Sequence, residues 1–300
     1  MKKYFILAAA ALSFAACSNN ESDNQVQNPD NVIRLNASVG EITRAATAIQ
    51  SQAFDEDALI NIEVTPSATN TTISKVYKAG AAVGYVNSLT PNGSETPFTW
   101  PATGTVAIKA FYPSTVTSNG TTFSVETDQS DATNYKASDL MYATPIAAQA
   151  KQAGAVGLTF NHALTKIIVN LTAGTGVEES DIAACTVTLS AKKTAAITSG
   201  VAGTASTASD AATITAGLGA NNAAIIVPQE YAANADFITV TTAGNHSKTF
   251  QLSAEKSFEA GKVYTYNLTV NMSEITLQST TITDWEKGNG DNGESDNVTI

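Results

Sequence analysis

Two histidines, His162 and His246, supply all the imidazole in this chain, and 16 Lys and Arg stand against 27 Asp and Glu. General acid–base or nucleophilic chemistry would need a base such as histidine beside a nucleophile, and a zinc site would need Cys and His at close spacing. No such spacing occurs, and there is no Gly-x-Ser-x-Gly elbow and no phosphate loop. His162 lies between Phe160 and Leu164 on a strand pattern and reads as a satisfied core residue. Asp55-Glu56-Asp57 and the acidic stretch 291–296 carry oxygen ligands of the kind that hold Ca²⁺. Consecutive loop carboxylates are more simply read as solvated. Tyr264 and Tyr266 could stack on a sugar ring, but they share strand parity with Leu268 and read as core. The expectation is a protein without catalytic residues, metal or cofactor, and not an enzyme.

Other chemistry sits at the N-terminus. Lys2 and Lys3 precede an apolar run at 4–14, too short to span a bilayer. Phe14-Ala15-Ala16-Cys17 follows, then Ser-Asn-Asn-Glu-Ser-Asp. Small residues just before a cysteine resemble the lipobox of bacterial lipoproteins. That resemblance implies cleavage before Cys17, which then carries the lipid, palmitate included, with the acyl chains supplying membrane affinity. Cys185 is the second cysteine; it alternates with Val187 and Leu189 and reads as a buried strand position. Arg44 sits among small residues and is open to a trypsin-like protease cutting between Arg44 and Ala45; by itself it reads as a solvated loop arginine.

The elements that would carry these residues are strands. Residues 32–39 form one. Val106–Tyr112 places Val106, Ile108 and Ala110 on one face, and Ser118-Asn119-Gly120 suggests a tight turn to a partner strand at 122–125. In 160–171, Phe160, His162 and Leu164 hold one parity while Ile167, Val169 and Leu171 hold the other. A phase change of this kind suggests a bulge or bend near Thr165–Lys166 in the last core strand of a first domain. Residues 172–176 contain Gly174 and Gly176 and read as its exit. Residues 192–213 are Ala, Thr, Ser and Gly with few large apolar residues, either a long loop or weak edge strands. Residues 237–242 and 248–252 read as a hairpin. Lys262–Val270 alternates best, with Tyr264, Tyr266, Leu268 and Val270 inward. No helix period is convincing.

Many short strands argue for an all-β chain of two β-sandwiches in tandem. The expected organisation is signal peptide and lipobox Cys at 1–17, tether and strand at 18–44, sandwiches at 45–173 and 174–287, and a flexible polar tail at 288–300. Hydrophobic residues make up 43% of the 300, enough for two cores, and charged residues only 14%. A net charge of −11 argues against nucleic acid as partner, since phosphate binding needs clustered Lys and Arg.

Several segments together resemble the fimbrillin family, the subunits of type V pili of Bacteroidetes. They are Ile108-Lys-Ala-Phe-Tyr-Pro113, Asp139-Leu-Met-Tyr-Ala143, Phe160-Asn-His-Ala-Leu-Thr-Lys-Ile-Ile-Val169, Ile226-Val-Pro-Gln229, Phe258-Glu-Ala-Gly-Lys-Val-Tyr-Thr-Tyr-Asn-Leu-Thr-Val270 and Ile282-Thr-Asp-Trp-Glu286. The resemblance implies transthyretin-like sandwiches, a lipoprotein precursor at the cell outer membrane and cleavage after an arginine, here Arg44. It further implies removal of the strand at 32–39 and its replacement by a strand donated by another pilin subunit. The polar 288–300 departs from a shaft donor strand and leaves tip, accessory or anchor roles open. A monomeric glycan-binding surface lipoprotein is the alternative.

Overall fold

The computed structural model describes residues 31–40, 53–198, 201–205, 210–217, 222–272, 275–284 and 294–296. Cys17, Arg44 and Ala45 lie outside them, as do Trp285 and most of the tail. Ten elements come first: β1 (Leu35–Val39), β2 (Leu59–Pro66), β3 (Ile73–Val83), β4 (Val86–Pro91), β5 (Val106–Tyr112), β6 (Thr122–Ser124), α1 (Ala132–Ala137), β7 (Met141–Ala143), β8 (Ile146–Gln149) and β9 (Val156–His162). Then follow β10 (Thr165–Ala173), α2 (Glu179–Ala183), β11 (Thr186–Lys192), β12 (Thr194–Thr198), β13 (Val201–Ala205), β14 (Ala211–Ala216), β15 (Ala223–Ile226), β16 (Gln229–Tyr231), β17 (Asp236–Thr241), β18 (Ser247–Gln251), β19 (Lys256–Phe258), β20 (Lys262–Val270), β21 (Ile275–Asp284) and β22 (Glu294–Asp296). The chain is all-β apart from two short helices.

Two hydrophobic cores form. The first is enclosed by one sheet ordered β2-β3-β4-β1-β9-β7-β5-β8, and an added β2–β5 pairing closes it on itself. Closure removes the open edges of the ring that would invite aggregation, and β8 adds to it alongside β5. Ile60, Ile62 and Val64 of β2 and Val106, Ile108 and Ala110 of β5 point inward, as period-2 alternation requires. Each fully buried Ile or Val contributes about 1.5–3 kcal/mol of transfer free energy. At the β3–β4 turn Gly84 and Tyr85 both hold positive φ, 57° and 70°. Two left-handed residues match the twist of a two-residue hairpin. The second core lies among sheets β15-β10-β20-β21-β22, β14-β11-β17-β18 and β13-β12-β6. Lys262–Val270 is a central strand there, parallel to β10, with Tyr264, Tyr266, Leu268 and Val270 buried as its alternation requires.

The expectations for 160–171, for the boundary at Gly174, for the partner of β6 and for Cys185 change. The segment 160–171 is not one bulged strand. It divides at Ala163–Leu164 into β9, which closes the first core, and β10, which pairs with β15 and β20 in the second. Both parities are apolar because each faces a different core. The chain therefore enters the second core before Gly174, whose place is set by packing: a Cβ there would meet Thr269 Cγ2 at 2.7 Å. Nor is β6 the hairpin partner of β5. It pairs with Thr194–Ala196 of β12, and Phe123 and Val125 are buried in the second core. Residues 192–213 include strands, among which β13 lies at a sheet edge.

Cys185 precedes β11 rather than lying within it. It is half-buried after α2, with its Sγ donating to Asp181 O at 3.3 Å. Burial, with Asp181 adding to it, pushes the thiol's pKa up, which suits an unreactive cysteine.

Candidate functional site

The strand expected at 32–39 is the most informative feature of the first core. Ile33, Leu35, Ala37 and Val39 are apolar at every second position, and all four are buried. Their alternation makes the segment extended, and their burial holds it in the sheet. β1 is an internal strand. On one side it runs antiparallel to β4, with Leu35 opposite Leu89 and Ala37 opposite Asn87. On the other it runs parallel to β9, from Leu35 opposite Val156 to Val39 opposite Phe160. The flanks are tied as well. Ile33 N–H donates to Phe98 O, Trp100 N–H to Asn31 O and Gly40 N–H to Phe160 O, each at 2.8 Å. Removing β1 together with Ile33 would leave a slot with unpaired backbone on two strands and four empty apolar sockets.

Further along the chain, Phe54 is tied to β4 through a side chain. Asn87 accepts from Phe54 N–H at 2.9 Å and donates to Phe54 O at 2.9 Å and Gly80 O at 2.8 Å. The side-chain amide stands in for a neighbouring strand. Phe54 then packs its ring edge-on against Phe160, centroids 4.8 Å apart, and against Tyr112. Asp55 and Asp57 pair with Lys136 at 2.6 Å and Lys78 at 2.8 Å. Among the described residues no group of acidic, His or Cys side chains is arranged to hold a metal ion.

His162 is buried, with Nδ1 2.8 Å from Asp139 Oδ1, where the chain passes from one core to the other. Lys166 lies near the same carboxylate. Burial pulls its pKa down from 10.5 to about 8, with Asp139 opposing. Burial, aided by Asp139, pushes the Tyr135 hydroxyl up. The cluster lies in the protein interior and reads as a structural junction. His246 lies in the β17–β18 turn, far along the chain from these groups. Tyr264 and Tyr266 are core residues among Phe237, Phe250 and Phe258, so no sugar platform forms from them.

Lys166 gives a pH-dependent expectation. Its folded pKa lies below its unfolded value of 10.5. Between about pH 8 and 10.5 the unfolded chain holds a proton that the folded chain has shed, so this group's contribution to stability rises with pH across that window and is lost as pH falls through 8. Urea unfolding of wild type and Lys166→Met at pH 7.5 and pH 10 should show the wild type gaining about 2 kcal/mol relative to the variant at the higher pH. Parallel behaviour of the two would place Lys166 in water.

A profile described as fimbrillin-like matches residues 43–285. The chain belongs to the fimbrillin-like family. This fimbrillin-like chain is 27% identical over 199 residues to the "Putative fimbrium subunit Fim1C" of Bacteroides uniformis, a stretch covering 63% of this chain and 64% of that protein. The match thus spans under two thirds of the relative's length. Its fold is shared with two crystal structures described as putative cell adhesion proteins. The one from Bacteroides uniformis has TM-score 0.66 at 21% identity, covering 86% of this chain and 99% of that one. The one from Bacteroides ovatus has TM-score 0.61 at 18% identity, covering 85% and 97%. Asn87 and Phe54 are the residues beside β1 that the sequence does not single out. The available signal was an asparagine sharing inward parity with Leu89 in a strand.

Proposed function

We propose that this fimbrillin-like chain is a structural subunit of a cell-surface fimbria, exported as a lipoprotein through acylation of Cys17 and matured by a trypsin-like protease between Arg44 and Ala45. β1 then leaves, and a strand donated by another subunit takes its place, linking subunits and supporting adhesion. The observation that carries this reading is the position of β1. It is internal to a closed sheet, apolar at alternate positions and followed within a few residues by the arginine. A strand at an edge could be peeled away with little consequence, whereas loss of an internal strand leaves two unpaired backbone rows and apolar sockets that only another strand satisfies. Phe54 supports the same reading, because Asn87 holds the chain beyond the cut independently of β1. The experiment is electrophoresis of unheated surface extracts, in which the chain should run in a high-molecular-weight ladder and begin at Ala45.

Export adds a second expectation. Cys17→Ser should leave the precursor unacylated and move it from the membrane fraction to the soluble fraction, because the acyl chains supply the affinity. Unchanged membrane retention, read by fractionation and blotting, would remove the lipoprotein part of the proposal.

A further inference from the structure

Four inward positions line the β1 slot, one just before the strand at Ile33 and three within it, and they are not equivalent. Three carry branched side chains, Ile33, Leu35 and Val39, and the third in order carries only a methyl group, Ala37. Ala37 is 1% exposed, so its small size does not reflect a solvent position. It stands opposite Asn87 of β4 and opposite Leu158 of β9. Side chains directly opposite on antiparallel strands have Cβ atoms roughly 5 Å apart, so the Asn87 amide borders the socket.

That amide cannot swing aside to admit a larger residue. Its oxygen holds the N–H of Phe54, and its nitrogen holds the carbonyls of Phe54 and Gly80. Asn87 is 0% exposed, so no water would replace those bonds. Turning it away would strand two buried backbone groups of Phe54 and the part-buried carbonyl of Gly80. Phe54 follows Arg44 in the chain, so this arrangement stays in place when the segment before the cut departs.

We propose that Asn87 makes the third inward position of the β1 slot a small-residue socket, so that a strand donated by another subunit must carry Ala or Gly there, with bulky apolar residues two positions to either side. This deepens the strand-exchange reading and rests on it. The donated strand lies as β1 does, parallel to β9 and antiparallel to β4. The occupant is thus defined by chemistry: an alternating apolar strand with one small residue in register with Asn87. Asn87 acts as a specificity residue through the wall it presents, and Phe54 keeps that wall in place.

The test uses the full chain with an engineered protease site between Gly40 and Phe54. After cutting and release of β1 in mild denaturant, the protein is offered fluorescent peptides of sequence 31–40. The native peptide and its Ala37→Gly form should bind within a few-fold of each other, and the Ala37→Leu form at least about tenfold more weakly, as overpacking predicts. In the Asn87→Ala protein, or Asn87→Ser where that folds better, the Ala37→Leu peptide should gain on the native one. A merely structural role for Asn87 would weaken both peptides alike. Equal binding of native and Ala37→Leu peptides to wild type overturns the small-socket rule and leaves strand exchange standing. Failure of every peptide to bind the emptied slot overturns strand exchange itself, and this proposal with it.

Discussion

Arg44→Ala is expected to yield a folded, lipidated monomer from cells in which wild type enters detergent-resistant polymers. The effect is all-or-none because of where β1 sits. Its backbone is paired on both sides, at five positions along β9 and three along β4. A second strand finds no vacant N–H or C=O while these pairs persist. Replacing one strand by another of similar length is nearly balanced in contacts. What favours the resident strand in the uncut chain is its tether, which holds it at high effective concentration beside its own slot. Cutting after Arg44 removes that advantage and leaves the rest of the core anchored, since Phe54 is held by Asn87 and Asp55 by Lys136 at 2.6 Å. Unheated gels of surface extracts should show a ladder for wild type and a single low band for the variant, with the wild-type chain beginning at Ala45. Equal ladders in both would remove Arg44 from the mechanism. Ladders in neither would favour an anchor or a role outside the pilus.

Much of the fold is legible where a strand has one apolar face. Lys262–Val270 alternates cleanly, as does β5 from Val106 to Ala110, and both are strands with the faces that this alternation requires, while Phe111 at the end of β5 enters the second core. The all-β class and the fimbrillin-like membership follow from such segments and their order. The alternation fails to speak where both parities are apolar. In 160–171 a bulge and a crossing between two cores leave the same pattern, because each flips the buried face. Only the partners β15 and β20 distinguish them, and those lie some sixty and a hundred residues further on. The same holds for β6: a good turn at Ser118-Asn119-Gly120 suggests the preceding strand as partner, yet the strand pairs with β12. In the slot, β1 is readable as a strand from its own residues. Its internal position is not, since it depends on β4 and β9 arriving on either side. The role of Asn87 is also non-local, because its partner Phe54 is a backbone group rather than a side-chain type.

Val169→Asp is expected to unfold the second core at room temperature. Val169 is fully buried near the middle of β10, opposite Tyr266 of β20, which packs against Phe237 and Phe250. Truncation to Ala would cost about 1–3 kcal/mol through lost transfer energy and a small cavity. The aspartate does more. It must either carry a charge among apolar groups or take up a proton and bury a carboxyl without a built partner, and either route costs several kcal/mol beyond the cavity. Domains of ordinary size have about 5–15 kcal/mol of stability, so the sum is comparable with the whole. Ile168 supplies the internal comparison. It adjoins Val169 but lies on the opposite face of β10 and is only half-buried, so Ile168→Asp can turn its carboxylate toward water. Circular dichroism and urea unfolding should therefore show Ile168→Asp folded with a lowered midpoint and Val169→Asp without a cooperative transition. The reverse order would mean that the face of β10 had been assigned the wrong way round, because a one-residue slip of register exchanges the two environments.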